Sequence, residues 1–157
     1  MQIDKKDFDP EQHDRFRALI VRQPLADLLT VAAYLDEDGK YHAGKSIIIR
    51  PRNTQYRGEV LICSAEPAET CGLAELFETK RVEEMTEQEW DEAYFDGERP
   101  TKGFSWRFRN PRRVVEMPIA GKCGFYDLAV PKGDITEYPR EMALGFDGWK
   151  IIQNKIL

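Results

Sequence analysis

The chain has 157 residues, of which 41% are hydrophobic and 32% are charged, and its formal net charge at neutral pH is −5. This length suits one domain with a real core, and the composition excludes a disordered chain. No apolar run approaches the ~20 residues of a membrane helix, and the N-terminal segment lacks the apolar core of a secretory signal. Three cysteines without C-x-x-C spacing argue against a disulfide framework or a zinc site. We therefore expect a cytoplasmic protein with reduced thiols, no metal and no cofactor.

Helical and extended patterns alternate in the first part of the chain. Asp9 and Pro10 are typical of a helix start and predict a short helix to about Phe16. The segment RALIVR predicts a strand. Pro24 ends that strand, and PLADLLTVAAYL predicts a second helix because its leucine and alanine residues recur at helical spacing. The polar segment DEDGKYHAG predicts a loop.

The rest of the chain is predicted to consist mostly of short strands. The segments KSIIIR, EVLICSA and CGLAELFETKRV each predict a strand. TEQEWDEAYF predicts a helix, in which Thr86 and Glu89 form a capping box. GFSWRFR alternates aromatic and polar side chains, which is typical of a half-buried strand with Trp106 and Phe108 in the core. NPRR predicts a turn, and RVVEMPI and CGFYDLAV predict the last strands. This order of elements favours a small α+β barrel.

Charged residues are strongly segregated along the chain. From Lys40 to Gly58 there are five basic residues and no acid, and from Arg99 to Lys122 there are seven basic residues and one acid. Between these segments, Glu66 to Glu98 contains twelve acids and two basic residues. If the two basic segments met in space, they would form a positive face suited to a phosphate-bearing ligand. Two separate solvated patches are the alternative.

This charge pattern leads to a specific geometric expectation. Either arginine that follows the isoleucine strand should share a face with at least two arginines of the second basic segment. The residues concerned are Arg50 and Arg52 in the first segment, and Arg107, Arg109, Arg112 and Arg113 in the second.

Four segments, in the same order, resemble the ASCH domain family: LIVRQPLADLL, AGKSIIIRPRNTQYRGEVLICSA, GLAELFETKRVEEMT and FSWRFRNPRRVVEMPIAGKCGFYDL. The resemblance covers roughly residues 17–128. It implies a PUA-like small β-barrel with two or three flanking helices, which binds RNA or a nucleotide-like ligand. Residues 1–16 would be an N-terminal extension that contains the short helix. Residues 129–157 would be a C-terminal extension, packed on the barrel or at a subunit interface.

The family motif G-x-K-x-x-E-x-R falls on the isoleucine strand. In the family its lysine and arginine line a cleft in the barrel, which places Lys45 and Arg50 there. Ala43 stands at the leading glycine of the motif, and Ile48 stands at its glutamate. Because isoleucine cannot accept a hydrogen bond or a proton, the cleft lacks the motif acid.

The charges and the resemblance together predict a basic cleft. Guanidinium groups make bidentate contacts to phosphates, and Tyr56 is the aromatic residue best placed to stack on a base. Tyr56 packed over the barrel end, and Arg112 and Arg113 capping strands, are the structural alternatives. The predicted binding residues are Arg22, Gln23, Lys45, Ser46, Arg50, Arg52, Tyr56, Arg57, Arg112 and Arg113.

Two other functions stay open. Some ASCH proteins resemble amidohydrolases of an acetylated cytidine, in which the motif lysine works with a threonine at the glutamate position and a distant glutamate. Lys45 is then the catalytic candidate, but Ile48 removes the nucleophile and Ser46 is the nearest hydroxyl, so we expect no deacetylation. Ribonuclease activity is also attributed to the family. The third function is a protein-interaction domain that docks through the acidic segment.

Overall fold

The computed structural model describes residues 2–120 and 124–139. A mixed seven-stranded sheet, a two-stranded hairpin and two short α-helices make up the described chain, which agrees with an α+β fold. The helices are α1 (Leu25–Thr30) and α2 (Glu87–Glu92). None of the helices in the described ranges is long and apolar enough to cross a membrane. The strands are β1 (His13–Val21), β2 (Ala32–Leu35), β3 (Tyr41–Ala43), β4 (Ile47–Arg50), β5 (Gly58–Ala65), β6 (Ala68–Arg81), β7 (Ala93–Tyr94), β8 (Phe104–Arg113) and β9 (Phe125–Pro131).

The large sheet curls so that β8 and β9 approach each other. Its strand order is β7-β4-β8-β6-β5-β1-β9, with β1 parallel to β5, β4 parallel to β7 and the other pairs antiparallel. Three strands separate β8 from β9, yet the ring centres of Trp106 and Phe125 on these strands lie 5.3 Å apart. Among the described residues no strand pairing joins β7 to β9, so the curled sheet is not closed into a hydrogen-bonded barrel.

Each face of the sheet packs against its own core. We call the concave face, which carries Trp106 and Phe125, the inner face, and the opposite one the outer face. Along β1, Leu19 belongs to the inner core and Ala18 to the outer core, because neighbouring side chains on a strand point to opposite faces. Trp106 and Phe108 are each only 3% exposed, which confirms the prediction that both are core residues. Helix α1 covers part of the inner face through Leu29.

Both helices predicted in the first part of the chain need correction. The helix predicted from Asp9 to Phe16 is wrong, because a hydrogen-bonded turn is followed by β1 from His13 onwards. Helix α1 stops at Thr30, and the predicted continuation forms β2 of the hairpin. Two consecutive β-branched residues, Thr30 and Val31, disfavour a longer helix and explain the early stop.

The predicted extensions share the large sheet with the chain between them. The boundary between residues 16 and 17 falls inside β1, and the boundary between residues 128 and 129 falls inside β9. Ile3 forms a bridge with Ala129, so the N-terminal segment lies along the outer edge of β9. The rest of the predicted C-terminal extension, residues 140–157, lies outside the described residues.

The later elements are mostly confirmed, with one helix, one strand and one turn corrected. The helix predicted over TEQEWDEAYF ends at Glu92, because Ala93–Tyr94 form β7. The capping box of α2 is present, with Thr86 and Glu89 bonding each other's backbone N–H groups. NPRR is not a turn, because β8 continues through it. Asn110 there has φ 57°, and the pairing with β6 shifts register, so a bulge accommodates Asn110 and the following proline. RVVEMPI forms only isolated bridges at Val114 and Pro118.

Candidate ligand-binding cleft

Arg50 ends β4 on the inner face of the sheet. Ile48, two residues earlier, pairs directly with Trp106, so these side chains share one face. The guanidinium carbon of Arg50 lies 4.9 Å from the centre of the Trp106 ring. No hydrogen bond or ion pair joins this half-buried side chain to another described residue. Burial lowers the pKa of the Arg50 guanidinium, which keeps its charge because arginine titrates far above neutral pH.

Trp106, which lies against Arg50, belongs to a group of three aromatic rings joined by edge-to-face contacts. The ring centres of Trp106 and Phe125 are 5.3 Å apart, and those of Phe125 and Tyr56 are 5.5 Å apart. The indole N–H of Trp106 donates to the Arg52 carbonyl at 3.0 Å, and the Tyr56 hydroxyl donates to the Glu59 carbonyl at 2.6 Å. The edge-to-face contacts and these two hydrogen bonds hold the three rings in place. We call Tyr56, Trp106 and Phe125 the ring cluster.

Arg17 on β1 contacts the ring cluster from the side of Phe125. Its guanidinium carbon lies 4.3 Å from the Phe125 ring centre and 5.6 Å from that of Tyr56. Asp127 faces Arg17 directly across the β1–β9 pair, with Nη1 and Oδ1 3.4 Å apart. Sequence reasoning missed Arg17 because it lies outside both basic segments. Its two-residue spacing from the inner-face residues Leu19 and Val21 would have placed it on the same face of the strand. We call Arg17, Arg50 and the ring cluster the cleft.

Gln23 and Arg57, both predicted to bind the ligand, form hydrogen bonds with nearby backbone groups. The Gln23 side-chain oxygen accepts from the Asp27 N–H at 3.1 Å, at the start of α1. Arg57 donates to the Thr54 and Tyr56 carbonyls at 2.9 and 2.7 Å, which stabilises the loop before β5. They therefore shape the loops around the sheet.

The remaining residues of the first basic segment reach different places. The Arg22 and Arg52 side chains are exposed. Lys45 donates to the Asp91 carbonyl at 2.7 Å, and the Ser46 hydroxyl donates to Glu92 Oε1 at 3.1 Å. Both side chains are thus directed to the end of α2. Their terminal groups are engaged there rather than with each other.

Arg113 is a buried structural residue. Its side chain is 3% exposed, and it donates to Asp27 Oδ1 at 2.7 Å and to the Thr30 hydroxyl at 3.0 Å. Burial alone would lower the pKa of Arg113, but the charges of Asp27 and Glu116 outweigh burial and raise it. A Cβ atom at Gly72 would lie 2.6 Å from Thr30 Cβ, so glycine is needed where β6 passes this site. Arg113 therefore anchors α1 to the sheet.

The two basic segments do not form one positive face, so that expectation is wrong. Ile47 pairs with Arg107 one position from the Ile48–Trp106 pair, which places Arg107 on the outer face, opposite Arg50. The outer-face arginines are paired with acids. These pairs are Arg107 with Glu92 at 2.9 Å, Arg109 with Glu75 at 2.6 Å, and Arg112 with Glu59 and Glu137.

A cavity of about 680 Å³ adjoins these outer-face pairs, between the β2–β3 hairpin, α2 and β8. At its rim the rings of Tyr34 and His42 stack with centres 4.7 Å apart, and His42 Nε2 lies 2.7 Å from Asp36 Oδ2. Within residues 2–120 and 124–139, no group of three or more histidine, cysteine or acidic side chains could hold a metal ion. The polar groups that line the cavity include Ser46, Glu75, Glu92, Arg107 and Arg109.

Comparison of the chain with protein-family models and with curated proteins finds no match. The likeness to ASCH domains therefore rests on the motifs quoted from the sequence. Any function must be argued from the cleft and the cavity themselves.

Proposed function

We propose that the protein is a PUA-like ASCH domain that binds single-stranded RNA or a nucleotide-like ligand in the cleft. The observation that carries this proposal is the state of Arg50, a half-buried cation without a hydrogen-bonding partner among the described residues. A buried charge is costly unless an opposite charge compensates it. A phosphate would compensate it and accept two parallel hydrogen bonds from the guanidinium.

The ring cluster supports a nucleotide over a simple inorganic anion. Proteins hold unpaired bases mainly by stacking them on aromatic or guanidinium planes. Tyr56 is more accessible than Trp106, which is almost completely buried. The curled sheet is compatible with the barrel that the proposal requires. A cytoplasmic location belongs to the same proposal, because it gives access to RNA.

A titration with a fluorescein-labelled single-stranded oligoribonucleotide tests this function. Each phosphate contact on a single strand contributes a slope of about −0.7 in log K against log salt. Three such contacts therefore predict a slope of about −2 in log K against log salt. A competitor of the same sequence with an uncharged methylphosphonate backbone should fail to displace the probe. Salt-independent binding, or no binding to any RNA, would contradict the proposal and favour a protein-interaction domain.

One observation favours a second candidate, a hydrolase of a modified nucleoside. The Ser46 hydroxyl donates to Glu92 beside the large cavity, so a carboxylate stands next to a hydroxyl that could act as a nucleophile. However, the other oxygen of Glu92 accepts from Arg107, and Lys45 is bound to a backbone carbonyl. With Ile48 at the position of the motif acid, we expect no product from acetylated cytidine.

The assay compares the wild type with Lys45→Ala and Ser46→Ala. Robust turnover of acetylated cytidine by the wild type, if lost in Lys45→Ala, would show that the protein is an enzyme. Loss in Ser46→Ala as well would identify the hydroxyl as the nucleophile.

A further inference from the structure

Arg17 is held much less firmly than the other ion-paired arginines. Its contact with Asp127 is 3.4 Å long, whereas Arg113 and Arg109 approach their acids to 2.7 and 2.6 Å. The Arg17 Nε atom is buried and lacks a hydrogen-bond partner in the described chain. Arg17 and Asp127 are each about one-third exposed, so solvent and a ligand can reach the pair. The guanidinium thus has donors left for a stronger acceptor.

Arg17 and Arg50 lie at opposite ends of one row of contacts. Arg50 lies against Trp106, Trp106 against Phe125, and Phe125 against Arg17. A nucleotide chain has a related pattern, because each nucleoside carries one flat base and is flanked by two phosphates. One guanidinium would suffice for a nucleoside monophosphate. Two of them, separated by aromatic rings, match a nucleoside with a phosphate on each side.

We propose that Arg17 is the second phosphate-binding residue of the cleft, which therefore selects a nucleoside flanked by two phosphates. This inference rests on the proposed function and specifies its ligand class. Asp127 occupies Arg17 in the free protein and is displaced when the second phosphate binds. The displacement is easy because an exposed, monodentate ion pair contributes little stability.

The test compares adenosine 3′,5′-bisphosphate with the 5′- and 3′-monophosphates by isothermal titration calorimetry. We expect the wild type to bind the bisphosphate about tenfold more tightly than either monophosphate, because the second phosphate adds a charge-assisted hydrogen bond. In Arg17→Ala this preference should fall to about one, while Arg50→Ala should weaken the binding of all three ligands.

Asp127→Asn separates a binding role of Arg17 from a structural one. If Asp127 competes with the ligand, the substitution should tighten bisphosphate binding more than monophosphate binding. If the ion pair only positions Arg17, the same substitution should weaken bisphosphate binding. Asp38→Asn, on the exposed tip of the hairpin, is the matched control for the change in net charge. If Arg17→Ala fails to fold, Asp127→Asn still tests whether Arg17 binds the second phosphate.

Three results would overturn the inference and leave the proposed function intact: no wild-type preference for the bisphosphate, an unchanged preference in Arg17→Ala, or weaker bisphosphate binding in Asp127→Asn. The proposed function itself would fail differently. In that case neither the nucleotides nor single-stranded RNA would bind the wild type or the Arg17→Ala variant.

Discussion

The cleft on the inner face and the cavity beside the outer face both contain arginines next to aromatic rings, yet Arg50 of the cleft and the two arginines of the cavity differ in their pairing. Arg107 and Arg109 lie over the Phe77 ring, and each is paired with a glutamate. Arg50 lies over Trp106 and has no acid partner among the described residues. The comparison teaches that the acids around an arginine, rather than the number of arginines, determine whether it is available to a ligand.

The outer acids come from the acidic segment of the sequence. Glu75 lies on β6 and Glu92 ends α2, and both lie between residues 66 and 98. Their partners, Arg107 and Arg109, belong to the second basic segment. The fold therefore neutralises much of that segment with the acids that precede it in the chain. The first basic segment keeps Arg50 on the other face of the sheet, away from those acids.

The largest effect is expected at the buried ion pair of Asp27 and Arg113. Asp27→Asn leaves the Arg113 cation buried without its main partner, which should lower the free energy of unfolding by about 3 kcal/mol. Urea denaturation measures this change. Glu75→Gln at the exposed Arg109 pair is the control and should cost less than about 1 kcal/mol. Equal losses would show that burial does not distinguish these pairs.

Arg50→Ala and Arg107→Ala should have opposite effects on binding and stability. Arg50→Ala should weaken binding of single-stranded RNA by about tenfold or more, because a hydrogen bond between charged groups is lost, and it should not destabilise the fold. Arg107→Ala leaves Glu92 without its cation, so it should lower stability while RNA affinity stays within about twofold. Fluorescence anisotropy and urea denaturation give the two readings. Equal affinity losses would remove the distinction between the two faces.

A smaller effect is expected at Tyr56, where the ring and the hydroxyl have separate roles. Tyr56→Leu removes a stacking surface and should weaken RNA binding by about 1 kcal/mol, or roughly fivefold. Tyr56→Phe keeps the ring and loses only the bond to the Glu59 carbonyl, so affinity should stay unchanged while stability falls by about 1 kcal/mol. If Tyr56→Phe weakened binding as much as Tyr56→Leu, the hydroxyl rather than the ring would contact the ligand.

Much of the fold could be predicted from local patterns. The alternation in FSWRFR identified β8 and its buried aromatic residues, and the spacing of Thr86 and Glu89 identified the start of α2. Helix α1 was predicted too long because its apolar spacing continues through β2. A local pattern does not record that the hairpin pairs Ala32 with Ala43, and this tertiary pairing determines where the helix ends.

The site was harder to predict because pairing depends on long-range contacts. Arg113 pairs with Asp27, 86 residues away in the chain, and Arg107 pairs with Glu92, 15 residues away. A single sequence does not show that these residues come into contact in the fold. Trp106 and Phe125 meet only because the sheet curls. The strand alternation did contain part of the answer, since it places Arg50 with Ile48 and, in the neighbouring strand, separates Trp106 from Arg107.

The central claim is that Arg50, which has no acid partner among the described residues, receives the ligand, and that the paired arginines of the outer face do not. Side-chain Nε–Hε NMR signals of arginine, followed during titration with a short single-stranded oligoribonucleotide, test this claim in one sample. We predict that the Arg50 signal shifts and becomes protected from exchange, while the Arg107 and Arg109 signals stay in place. Shifts at Arg107 and Arg109 with an unchanged Arg50 signal would contradict the account.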